Sequence, residues 1–119
     1  MGLAASQARV TMLTGRIHDL GFALQLNCQE KIMWAMQSDA LSEMDNRAMQ
    51  ALVNATNETQ KNAALDMERK IQGELRNISN QDKILDRKAT QLDTQIKAAE
   101  QELESAKKMI DSAIKRGFS

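Results

Sequence analysis

Proline is absent and glycine is scarce, with five in 119 residues. Little therefore removes a backbone donor or forces a turn, and long helices are permitted along most of the chain. Tyrosine is also absent, and Phe22, Trp34 and Phe118 are the whole aromatic set. A thick globular core normally buries several large aromatics. The apolar residues here are Ala, Leu, Ile and eight Met, which suit thin, repetitive helix seams. Net charge is absent too, with sixteen basic and sixteen acidic residues. No basic excess marks a nucleic-acid binder, whose affinity rests on neutralising phosphates. The lone Cys28 excludes an intramolecular disulfide and a cysteine metal cluster. It reads as a small apolar residue on a packed face. The longest uncharged runs, Leu20 to Gln29 and Ala48 to Asn57, reach about ten residues, half of what a membrane-spanning helix needs. The opening Met1-Gly2-Leu3-Ala4-Ala5-Ser6 lacks the basic and apolar regions of a cleavable signal. Any export is expected to proceed without signal cleavage.

What is present is clearest after Asn62. Ala64, Ile71, Ile78, Leu85, Leu92, Ala99, Ala106 and Ala113 recur every seven residues. An interleaved row holds Glu68, Leu75, Asp82, Ala89, Ile96, Leu103 and Ile110. The two rows form a heptad long enough to specify a coiled-coil helix, predicted over 62–115 and about 80 Å long if unbroken. Glu68 and Asp82 are costly in a seam, so looser packing is expected around them. Gly73 and Arg76-Asn77-Ile78-Ser79-Asn80 form a weak point through which the heptad stays in phase. Glu100, Glu104 and Lys108 have the spacing of surface ion pairs on one helix.

The first half is poorer in charge, with ten charged residues before Lys61 against twenty-two from there on. Leu3, Val10, Leu13, Ile17, Leu20 and Leu24 make a heptad stripe. Cys28, Ile32 and Ala35 continue it one position out of phase, which predicts a helix over 3–37. Gly15 and Gly21 lie inside that helix, each costing up to about 1 kcal/mol relative to Ala. Ser38-Asp39 predicts a cap or break, and Leu41, Met44, Ala48, Leu52 and Ala55 a second helix over 40–55. The polar, turn-prone stretch 54–62 is the candidate turn. The expected fold is a single all-α domain over 1–119, an elongated antiparallel helical hairpin with heptad packing.

Signals of catalysis are lacking. His18 is the only histidine, has no partner ligand nearby in sequence, and reads as a surface or seam-edge residue. No phosphate-binding glycine loop, paired metal ligands or serine elbow is present. The expectation is a protein that is not an enzyme and needs no cofactor or metal. Asn54, Asn57 and Asn77 begin Asn-X-Ser/Thr triplets, which an amide-rich chain produces by chance. Ile32-Met33-Trp34-Ala35-Met36 is the bulkiest apolar stretch. Trp34 reads either as an interface anchor or as a residue closing the inside of the hairpin. Phe118, after the helix-ending Gly117, is a candidate plug for a neighbouring subunit.

Two resemblances follow. Gly2-Leu3-Ala4-Ala5-Ser6-Gln7-Ala8-Arg9, with Leu13-Thr14-Gly15-Arg16 and the final Phe118-Ser119, looks like a group of short bacterial coiled-coil proteins. The amide-containing helix from Ala5 through Leu24 and the heptad from Leu85 to Ile110 are similar to type III secretion needle and filament subunits and to the terminal helical region of flagellins. The proline-containing turn common in needle subunits is missing. The resemblance implies a bacterial protein, exported or at the cell surface, whose helices pack in the core of an assembly. The alternative location is the cytoplasm.

The expected function is that of a structural subunit that assembles with copies of itself into a filament or secretion-related appendage. The expected interface is Val10, Leu13, Ile17, Leu20, Leu24, Trp34, Leu85, Leu92, Ile96, Leu103, Ile110 and Phe118. A dimeric adaptor or secretion chaperone holding another protein's helix is the alternative. In that reading adaptable Met residues around Trp34 form the groove. Membrane-surface binding is disfavoured because the first helix lacks a basic polar face.

Overall fold

The computed structural model describes residues 2–117, and among them the chain is all-α. Helix α1 spans Leu3–Val53 and α2 spans Glu58–Gly117. The chain forms two compact units, each pairing a piece of α1 with an antiparallel piece of α2. One combines the chain up to Asn27 with the chain from Arg87 onward, and the other is Cys28–Asp86. The helical hairpin expected from the heptads is therefore the observed topology.

The turn is tighter than the polar stretch 54–62 predicts, because Asn57 starts α2 early. Its Oδ1 accepts the Gln60 backbone N–H at 2.8 Å, which satisfies one of the unpaired donors at a helix start. The Gln60 side-chain oxygen reaches back past Asn57 to accept the Thr56 backbone N–H at 3.0 Å, which ties the turn to the helix start. Glu58 adds a negative charge in the first turn, and Lys115 and Arg116 close the last, both signs favourable to the helix dipole.

Along α2 the seven-residue row from Ala64 to Ala106 is buried at every step, and the row from Glu68 to Ile110 is half-buried at every step. The helix runs without a break through Gly73 and Asn80. The looser packing expected near Glu68 and Asp82 is not what is found. Ile71 and Ile78 are buried there in a cluster with Leu41 and Ala48, against which Trp34 and Leu75 pack.

Helix α1 departs from the expectation in two ways. It does not pause at Ser38-Asp39 but continues to Val53, since neither residue removes a backbone donor and Ser38 itself lies in the seam. Nor does its stripe slip after Leu24. The inward rows remain in strict heptad phase, Val10, Ile17, Leu24, Lys31, Ser38, Asp45 and Leu52 in one and Ser6, Leu13, Leu20, Asn27, Trp34, Leu41 and Ala48 in the other. The helix keeps phase by accepting polar residues into the seam. Cys28, Ile32 and Ala35 are consequently exposed rather than packed, and Leu3 is exposed at the helix start.

Candidate helix-association surface

Because α1 keeps its phase, its remaining apolar residues are displaced outward. In the first unit Met12, Phe22 and Leu26 are exposed, and in the second Ile32, Met33 and Met36 are exposed. Phe22 is 62% exposed and Met33 69%, whereas Leu13 in the seam is 3% exposed. With the inward rows as heptad positions a and d, Met12, Leu26 and Met33 fall at c and Phe22 and Met36 at f, whereas the exposed Ile32 and Val53 fall at b, Met44 at g and Met49 at e. Positions c and f repeat with the same alternation of three and four residues as a and d. Between Met12 and Met36, α1 thus carries an outward stripe on the c and f rows besides the one that faces α2. Helix α2 has no counterpart. Its exposed large apolar residues, Met67, Ile84, Met109 and Ile114, fall at three different heptad positions and are widely spaced.

The inward seam has its own electrostatics. Lys31 occupies an a position and reaches two carboxylates of α2, hydrogen-bonding to Asp86 and lying 3.6 Å from Asp82. The hydrogen bond to Asp86 chiefly, with the charges of Asp82 and Asp86, holds the Lys31 amine above its ordinary pKa against a smaller opposing effect of desolvation. Asp82 is therefore tolerated in the seam because a cation faces it. Asp45 is less well served, since its Oδ1 is buried and accepts no hydrogen bond. In the first unit Arg9 pairs with Glu102 at 3.7 Å. These two exposed side chains contribute little to stability.

The expected interface residues can now be placed. Leu13, Leu85 and Leu92 are buried, and Val10, Ile17, Leu20, Leu24, Trp34, Ile96, Leu103 and Ile110 are half-buried, all in the seam between α1 and α2 of the same chain. Trp34 closes the inside of the second unit beside Leu41 and Ile78, so of its two readings the inward one matches its position. Phe118 lies outside the described residues. His18 is exposed. Met33 and Met36 belong to the methionine face expected around Trp34. Met12, Phe22 and Leu26 were missed by reading one stripe per helix, although Leu26 lies seven residues before Met33, and Met12 and Phe22 lie fourteen before Leu26 and Met36.

No protein-family model, no curated protein and no solved structure matches the chain. The physical arrangement of its side chains therefore carries the functional reading. Among the described residues no helix is long and apolar enough to cross a membrane.

Proposed function

We propose that this protein is a structural subunit that acts by associating with copies of itself through the outward stripe of α1. The observation that carries this reading is the double heptad. An isolated hairpin needs one apolar stripe per helix, and a second stripe in water lowers solubility without strengthening the fold. Large apolar side chains in heptad phase are what a further helix packs against. Assembly into a helical filament or secretion-related appendage is the form this reading takes if each copy also offers a second, different contact, so that addition does not close. The outward Met33 and Met36 beside Ile32 favour a second reading, an adaptor that receives another protein's helix on an adaptable methionine face.

The test is the mass of the purified protein over a hundredfold concentration range, by sedimentation and light scattering, with negative-stain images of the same samples. Mass that grows with concentration and images of fibres support the filament. A dimer of fixed mass supports self-association but overturns the filament. A monomer at every concentration overturns self-association and leaves the adaptor reading.

A further inference from the structure

We infer that the occupant of the outward stripe is α1 of a second copy, running antiparallel and centred between Phe22 and Leu26. This inference rests on the self-association reading and names its partner, direction and register. In an antiparallel coiled coil each layer pairs the two heptad rows of opposite helices, here a c residue with an f residue. With the two-fold axis beside Leu24, Phe22 meets Leu26 of the second copy and Met12 meets its Met36. Gly15, beside which an added Cβ would meet nothing within 4 Å, leaves room for Met33. The one charged residue between Met12 and Met36 on these rows, Asp19, meets the amide of Gln29.

Charge and area support the same alignment. The positions flanking the stripe place Arg16 opposite Glu30 of the second copy, and the symmetry makes that pair twice. A parallel, in-register pairing instead sets Asp19 against Asp19 and Gly15 against Gly15, a like-charge contact and a hole. Sliding the antiparallel pair by one heptad puts Asp19 against Phe22 or Met36, burying a carboxylate on an apolar side chain. Met12, Phe22, Leu26, Met33 and Met36 are each about half or more exposed in the single chain. At about 100 Å² apiece from both copies they alone hide on the order of 1,000 Å², the threshold for a biological interface, to which the flanking residues add.

The experiment uses the full chain with Cys28→Ser, which removes its only thiol. Two single-cysteine variants, Gly15→Cys and Met33→Cys, are oxidised mildly, alone and mixed, and the disulfides are identified by mass. The expected result is that the mixture gives the 15–33 cross-linked pair several-fold in excess of either homodimer. Predominant 15–15 and 33–33 products mean a parallel pair and overturn the inference. Absence of cross-links in a protein whose mass still grows with concentration places association on another surface, and also overturns it. A wild-type protein that stays monomeric removes the underlying reading instead, so the two failures are distinguishable. As a second readout, Arg16→Glu is expected to weaken dimerisation roughly tenfold, from two symmetric pairs made repulsive. Adding Glu30→Arg restores it. Failure of the double variant to recover removes the register.

Discussion

Helices α1 and α2 have similar lengths and share one seam, yet they are built on different plans. On α2 the apolar residues are concentrated on one face, and the rest is charged in both signs. On α1 large apolar residues are spread over several faces, most densely on the outward rows between Met12 and Met36, and polar residues, Asn27, Lys31, Ser38 and Asp45, sit in the seam. The difference teaches that a helix's amphipathicity reports how many neighbours it is built for. Helix α2 turns its one continuous apolar face to α1. Helix α1 has yielded part of its seam to polar groups while keeping Phe22, Met33 and Met36 in water, an arrangement that folding of a single hairpin does not call for.

The sharpest way to break this comparison is to place the same charge on each plan. Ile78→Asp puts a carboxylate into the buried α2 row and is expected to cost about 4 kcal/mol, enough to lose most helical circular dichroism at room temperature. Met33→Asp, on the outward face of α1, is expected to leave the melting temperature of dilute protein unchanged while abolishing association in sedimentation. If both variants melt alike, the outward face of α1 is not separable from the seam. Ile96→Asp, at a half-buried seam position, is expected to lose about 2 kcal/mol in urea titration. Asp45→Leu tests the polar half of the α1 seam with the opposite sign. Removing a carboxylate whose buried oxygen accepts no hydrogen bond is expected to raise stability by about 1 kcal/mol in the same titration.

The smallest effect is at Lys31. Its pKa is raised in the folded chain, so the protonated form is favoured by folding. That contribution is complete below the ordinary lysine value of about 10.4 and is lost as pH rises through the higher folded-state value. Urea midpoints are expected to be insensitive to Lys31 titration up to about pH 10 and then to fall. In Lys31→Met this component of the fall is missing.

Where α2 is concerned, sequence spacing located the seam residue by residue, from Ala64 through Ala106 and from Glu68 through Ile110. One apolar face leaves one choice of phase. On α1 the spacing was legible through Leu24 and again at Leu41, Ala48 and Leu52, but not between them. Over residues 27–35 the apolar residues Cys28, Ile32 and Ala35 lie one position away from the true seam residues Asn27, Lys31 and Trp34, and a reading that follows hydrophobicity follows the wrong row. What decides the phase is the facing helix. Asp82 and Asp86 supply Lys31 with partners, so a polar residue at that point costs little, and no rotation of α1 is needed. That information is distributed over residues distant in sequence, which local periodicity does not combine. The Met12, Phe22 and Leu26 part of the candidate surface was missed for the same reason, since it consists of what the seam leaves out.

The turn at Asn54 to Asn57 has a kinetic consequence. The unit Cys28–Asp86 is one continuous piece of chain around that turn, whereas the other unit joins the two ends of the molecule. Leu41 and Ala48 find Ile71 and Ile78 across short loops, while Arg9 must find Glu102 across most of the chain. Closing the short loops first carries the smaller entropy cost, so the hairpin is expected to zip outward from its cap. During synthesis the whole of α1 emerges before any of α2. For that interval the inward stripe, still without α2, is exposed together with the outward one, and the chain is at its stickiest before it is finished.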